Sequence, residues 1–265
     1  MVYIVTFLLF LKLYCQIHVY IFGYQQNPNM IKYILKANIL SLFIFLIAVS
    51  AKGQGSISYS EYDAGASYGF TQLYGAALTS PITPSVNINI NYNRTPFVNY
   101  VLEAQYGTFK GGDSVTTLSK RQFKSKFMAI TARVQLQMGE IIDYEDNAFA
   151  NSLKNIYFST GIGFVYNHIT SIKRAGTYDN FYSDGPNFSA AAFVPFRVGY
   201  EFKLFNDYDL PYVKIDVADT FNMVFTNTLD GYIARGNYDV YSQFTIGVKI
   251  AIGTKYTSYR KDIEY

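Results

Sequence analysis

Between Val86 and Tyr92 the chain alternates without a break: Val86, Ile88, Ile90 and Tyr92 share one side of an extended backbone, and Asn87, Asn89 and Asn91 share the other. Asn is a poor strand former, so three on one face need an environment that favours them. A water-filled or polar-packed barrel interior is such an environment.

The same period recurs along the chain. Val98, Tyr100, Leu102, Ala104 and Tyr106 oppose Asn99, Glu103 and Gln105, with Val101 among the polar set. Met128, Ile130, Ala132, Val134, Leu136 and Met138 oppose Thr131, Arg133, Gln135 and Gln137. Over Ile156–His168, Ile156, Phe158, Ile162, Phe164 and Tyr166 face away from Tyr157, Ser159, Gly161, Gly163 and Asn167. Two inward glycines make room for large neighbours in a narrow barrel. Over Phe188–Leu204, Ala192, Val194, Phe196, Val198, Tyr200, Phe202 and Leu204 oppose Arg197 and Glu201. Val213, Ile215 and Val217 oppose Lys214 and Asp216; Phe244, Ile246, Val248, Ile250 and Ile252 oppose Gln243, Thr245 and Lys249. A first strand around Ala64–Thr71 rests on its Tyr, Phe and Gly content. The count is about eight, an even number. Connections 72–83, 110–121, 169–187 and 227–238 are medium to long, whereas 93–96 and 205–211 are short. That is the asymmetry of long external loops and short periplasmic turns. The exception is 139–155, where a short helix is expected around Asn147–Leu153.

Glu103, Arg133, Arg197, Glu201, Lys214, Asp216 and Lys249 all fall opposite the apolar stripes. In a soluble sandwich they would face water; in a membrane barrel they would face inward, with apolar side chains toward lipid. Alternation alone does not separate the two. Export, large apolar residues on every strand and the elimination of unpaired sheet edges favour the membrane. The expected fold is all-β: a closed antiparallel up-and-down transmembrane barrel of about eight strands spanning 54–253, preceded by a signal peptide and followed by a polar tail over 254–265. Eight strands enclose just enough room for side chains, so the inward charges should pair. Glu103 with Arg133, and Glu201 with Lys214, are the expected partners, serving structural neutralisation or gating a narrow channel. Asp219 has lipid-facing parity, and Pro195 inside the sixth strand predicts a kink or bulge.

Composition agrees. Only 15% of residues are charged, against about a quarter in ordinary soluble domains. With 26 Tyr, 22 Phe and no Trp, the aromatic content suits a membrane–water boundary. A net charge of +3 does not argue for nucleic acid, and Lys120, Arg121, Lys124 and Lys126 read as a solvated loop and strand end.

Lys32 and Lys36 follow Met30, Ile39 to Val49 is apolar throughout, and Ser50, Ala51 and Gly53 are small. This order is a secretory signal peptide over 30–53, cleaved after Ala51 or Gly53. Residues 1–29 then read as a mis-assigned upstream start or an extra apolar segment, a transmembrane helix being the rival. The one cysteine, Cys15, lies there, so a mature chain uses neither disulfides nor thiolate metal sites.

The segments Ser67–Phe70 (SYGF), Thr79–Pro84 (TSPITP), Tyr92–Phe97 (YNRTPF), Gln105–Gly107 (QYG), Leu136–Asp143 (LQMGEIID), Tyr157–Gly163 (YFSTGIG), Asp230–Tyr232 (DGY) and Thr245–Gly253 (TIGVKIAIG), in that order, resemble the outer-membrane β-barrel family common in Bacteroidetes, within the OmpA/OmpX-like group. The resemblance implies an integral outer-membrane barrel but not one activity. Thr245, Gly247, Ile250 and Ile252 are similar to the signal read by the barrel-assembly machinery, although such signals usually end the chain at an aromatic.

Catalytic apparatus is not visible. His168 has Thr170 and Ser171 nearby, but the spacing supplies no orienting acid for a nucleophile–base pair. Asp179, Asp184, Asp230 and Asp239 lack calcium-loop spacing and read as turn formers. No cofactor and no metal site is expected. Expected partners are outer-membrane lipid and lipopolysaccharide, the barrel-assembly machinery and an extracellular ligand at the loops, with no nucleic acid. The expected role is structural or surface-interacting; the alternatives are a narrow solute channel or secretion-associated component and, more weakly, a barrel hydrolase.

Overall fold

The computed structural model describes residues 57–75, 79–113, 121–144, 148–174, 185–208, 210–232 and 238–259. The expected signal segment 30–53, the upstream segment 1–29 with Cys15, and Lys120, Asp179 and Asp184 lie outside the described residues.

Eight antiparallel strands close on themselves in sequence order: β1 (Ile57–Tyr74), β2 (Thr83–Asn93), β3 (Val98–Gly112), β4 (Gln122–Gln137), β5 (Ile156–Lys173), β6 (Phe188–Phe205), β7 (Pro211–Val224) and β8 (Val240–Tyr259). Closure pairs β1 with β8, from Tyr74 opposite Val240 to Ile57 opposite Tyr259, with a shift between Ser60 and Tyr62. A 3₁₀ turn (Met138–Glu140) and helix α1 (Ala148–Leu153) fill the long connection between β4 and β5. The helix falls where the sequence placed it. No described helix is long and apolar enough to cross a membrane; the strands do so.

The faces are inverted relative to a soluble protein. Along β4 every second residue is exposed and its neighbour buried, and β2 follows the same pattern. Ile88, Phe158 and Phe164 are 64–65% exposed, while Asn87, Glu103 and Arg197 are at most 2% exposed. Burying charge and exposing large aliphatics is intolerable in water and natural in hydrocarbon. Closure supplies the other half of the argument, because every strand finds two neighbours and no edge faces lipid.

Several details differ from the sequence reading. β1 spans 18 residues rather than a weak core at 64–71. β8 runs to Tyr259, past the expected limit at 253, because 256–259 continue the ladder with 57–60 of β1. Pro195 produces no bulge: Phe196 pairs with Thr160 and Phe193 with Gly163 in one continuous register, and Pro195 still stands opposite Asn222 on β7. The ladder to β5 is interrupted beside Pro195 rather than shifted, because the ring lacks a donor but adds no residue. Asp219 does face outward, as its parity required. Tyr200 and Phe202 share that outward parity, yet both are buried. The Tyr200 hydroxyl donates to the Ser152 carbonyl in α1 at 2.9 Å, and the Phe202 ring lies against Tyr200 with centroids 4.5 Å apart.

Candidate functional site

The lumen is the part of the molecule where polar chemistry is concentrated, and it is built in two layers. The periplasmic half is ionic. The Arg133 guanidinium donates to Glu103 at 2.6 Å across β3 and β4. Arg197 donates to Asp216 at 2.7 Å and to the Tyr157 hydroxyl at 2.9 Å, and stands 3.9 Å from Glu103. Lys249 donates to Glu201 and lies 3.7 Å from Asp216. Lys214 donates to Asp63 at 2.6 Å, and the Tyr157 hydroxyl donates to Asp216 at 2.7 Å. All seven charges expected inside are therefore inside and buried. Glu103 pairs with Arg133 as expected. The expected Glu201–Lys214 pair is replaced, since Lys249 reaches Glu201 over the intervening β7 and Lys214 turns to Asp63.

Asp63 completes the balance. Asp63, Glu103, Glu201 and Asp216 face Arg133, Arg197, Lys214 and Lys249, four against four, so the layer is formally neutral. Neutrality matters because an unpaired buried charge costs several kcal/mol, roughly 3–5 when one partner is removed. Gln105 donates to the second oxygen of Glu103 at 2.9 Å, and Asn93 donates at 2.8 Å to the same Asp63 oxygen that Lys214 binds. At the periplasmic edge Lys203 donates to the Pro96 carbonyl at 2.9 Å and to Gln137 at 2.8 Å, above the Phe97 ring.

The extracellular half is aromatic, where the sequence reading expected polar residues. Phe109 stacks on Phe127 with centroids 4.0 Å apart, and Tyr241 meets Phe109, Phe127 and Phe193 at 5.2–5.9 Å. Leu73, Phe123, Val165 and Val224 pack around them. Gly163 is where the inward glycine was expected to make room: a β-carbon there would strike the Phe193 ring. Gly107 does the same for Phe127.

Above this layer the segment after β7 turns inward. Leu229 and Tyr232 are fully buried. Asn167 donates to the Leu229 carbonyl at 2.6 Å, and the Tyr232 hydroxyl donates to the Lys173 carbonyl at 2.9 Å. Gly231 takes a φ of 74°, a left-handed conformation that lets the chain reverse there. Asp239 accepts from the Leu229 amide at 2.8 Å, and Asp230 from the Tyr232 amide at 3.0 Å. Both carboxylates converge on Gly75, lying 3.0 and 2.8 Å from the position its β-carbon would take. Burial, reinforced by the Asp230 carboxylate, pushes Asp239 up to about 7. Asp230 and Asp239 are thus more than turn formers, because they hold the cap on the lumen.

His168 stays apart from this chemistry. Its ring stacks on Phe188 at 4.3 Å, and its Nδ1 is buried without a hydrogen-bond partner. The Thr170 hydroxyl donates to the Lys124 carbonyl at 2.9 Å and Ser171 is exposed, so the three polar residues of this stretch are not assembled. No group of three His, Cys, Asp or Glu among the described residues is placed to hold a metal. Of the assembly-signal-like residues, Thr245 and Gly247 point into the lumen, whereas Ile250 and Ile252 point out. Sequence reasoning missed Asp63, the tyrosine partner Tyr157 and the aromatic layer. An Asp between Tyr62 and Ala64, on the parity of Gly65 and Ser67, was the available signal for the first.

The fold and its inverted faces define a class: this is an integral outer-membrane β-barrel of the small eight-stranded kind. No family model and no curated protein sequence matches the chain. Among solved structures it is similar to Neisserial surface protein A, at 15% identity, covering 75% of this chain and all of that one, with a TM-score of 0.44. It is also similar to the attachment invasion locus protein Ail of Yersinia pestis, at 11% identity over 72% of this chain and 98% of that one, TM-score 0.39. A further similar structure is the outer-membrane enzyme PagL, at 12% identity over 72% and 99%, TM-score 0.30.

Proposed function

We propose that the chain is a non-conducting outer-membrane barrel with a structural, surface-directed role, its external segments forming the contact surface. One observation carries this reading. The lumen is occupied along its length, first by a neutral ionic layer centred on Arg197 and Asp216, then by the Phe109–Phe127–Tyr241 stack, then by Leu229 and Tyr232. A solute path would have to break all three. A non-enzymatic role is supported by His168, which stacks on Phe188 with no described carboxylate bonded to it. The ordered short motifs support membership of the Bacteroidetes-type group. Thr245, Gly247, Ile250 and Ile252 on the closing strand support recognition by the barrel-assembly machinery.

Planar-bilayer recording on protein purified from outer membranes tests the proposal. The expected trace is flat at neutral pH. Steady single-channel steps of constant amplitude would overturn it and establish the narrow channel instead.

A further inference from the structure

Three lysines lie together on the outer wall, near the extracellular ends of β3 and β4. Lys110 on β3 and Lys124 on β4 are direct cross-strand partners, and both are exposed on the outer wall. Lys126 is two residues along β4 on the same face, opposite His168 on β5. Lys173, near the end of β5, lies opposite Gln122 and is also exposed. None of the four is in an ion pair with a described residue. Asp113, just past β3, is the nearest described carboxylate in sequence and has a partner of its own.

Their height on the barrel is fixed by the register. Immediately below Lys126, Tyr106, Met128 and Tyr166 form one outward row across β3, β4 and β5. Tyrosines beside an aliphatic residue mark the upper edge of the hydrocarbon. Two residues along a tilted strand rise about 5 Å, so Lys126 enters the headgroup layer and Lys124 and Lys110 stand about 5 Å higher. The rest of the rim differs. Its outward residues at the strand ends are Tyr74, Ile82, Phe188, Phe225 and Tyr238, all apolar or aromatic and exposed. Among the described residues, the exposed cations of this rim therefore occupy one sector.

Like charges directly opposite one another across a ladder are destabilising. Lys110 facing Lys124, with Lys126 beside them, is an arrangement that an anion must offset. The anion has to sit beside the wall at headgroup level, with acyl chains continuing down past Met128 and Ile130. A phosphorylated glycolipid of the outer leaflet has that shape.

We propose that Lys110, Lys124 and Lys126 form a seat for the phosphates of lipid A on the β3–β5 wall. This rests on the outer-membrane barrel reading and adds to it a particular lipid and a particular face. The same cations would attract any phosphate, so the test separates the sources.

Protein purified from outer membranes and exchanged into neutral detergent is incubated with bisphosphorylated hexa-acyl lipid A, its dephosphorylated form, dioleoyl phosphatidylglycerol or inorganic phosphate. Retained ligand is measured by native mass spectrometry. Wild type should retain the bisphosphorylated form far above the other three. The K110Q/K124Q/K126Q variant should lose about 100-fold in affinity, from roughly fivefold per lysine at a membrane surface. The matching triple Arg variant should restore it. Folding of each variant is read separately from heat-modified gel migration, so failure of the barrel is distinguished from failure of the seat. Equal retention by the Gln variant would overturn the proposal. So would wild-type retention of phosphatidylglycerol or dephosphorylated lipid equal to that of lipid A, a result that does not depend on any variant.

Discussion

The Lys214–Asp63 pair gives the sharpest test of the lumen. It joins β7 to β1 across the intervening β8, at 2.6 Å, with both side chains almost wholly buried. At an effective dielectric of 20 the attraction at that distance is about 6 kcal/mol, most of which offsets the desolvation of two ions. Lys214→Met removes the attraction and leaves Asp63 charged, with the Asn93 amide at 2.8 Å as its remaining side-chain donor among the described residues. The expected loss is about 3–5 kcal/mol. Asp63→Leu in the same background should recover most of it, because two apolar groups no longer need one another. The double-mutant coupling should therefore be larger than the loss from either single change, more than about 3 kcal/mol, with the double variant close to wild type. The chain has no tryptophan, so urea unfolding in lipid vesicles is followed by tyrosine fluorescence and by gel migration with and without boiling. If the two single losses simply add in the double variant, the residues do not act as a pair and the neutral-layer argument fails.

Two other expectations follow from the cap and the glycines. Asp239 is raised to about 7, so its protonated form favours the seated cap; that contribution is complete below about 4 and is lost as pH rises through 7. Amide exchange at Leu229 should accelerate between pH 6 and 8 beyond the intrinsic base-catalysed rate, in wild type and not in Asp239→Asn, and equal acceleration in both would remove Asp239 from the mechanism. Gly163→Val drives two methyl groups into the Phe193 ring and should destabilise by about 1–3 kcal/mol, while Phe193→Leu in the same background should relieve part of that cost, measured in the same urea series.

How much of this was legible depended on how cleanly each face alternates. β2 and β4 switch sides at every residue, and the inward set Asn87, Asn89, Asn91, Arg133, Gln135 and Gln137 could be read directly. β1 could not, because Ala64, Gly65, Ala66 and Gly69 are too small to mark either face, and Asp63 went unnoticed among them. The aromatic layer was hidden for a different reason. Phe109, Phe127 and Tyr241 have inward parity, but an aromatic is at home in lipid, at the interface and in a packed lumen alike, so residue type does not report its side. Tyr200 and Phe202 failed in the opposite sense: their parity was right, but both are buried, Tyr200 bonding to α1 and Phe202 lying against Tyr200, contacts that the alternation of β6 does not encode. Pairing was harder than placement. Adjacent strands suggested Glu201 with Lys214, but in a barrel this narrow long side chains reach over an intervening strand, and Lys249 was as available as the neighbour.

The order of the layers bears on how the barrel holds one register. Sliding any strand by one residue would turn its charges to lipid and its aliphatics inward, so the ionic half punishes a one-step error on β1, β3, β4, β6, β7 and β8. A two-step slip keeps the parity and would escape that penalty. The aromatic half penalises it: Phe127 fits beside Gly107, and Phe193 beside Gly163, so moving β3 or β5 by two residues brings a side chain against a ring. Charge thus sets which face is inward, and the glycine–aromatic fits set the step. Both discriminations fall on β3, which carries Glu103 and Gly107 four residues apart, and that strand should be the least tolerant of insertion.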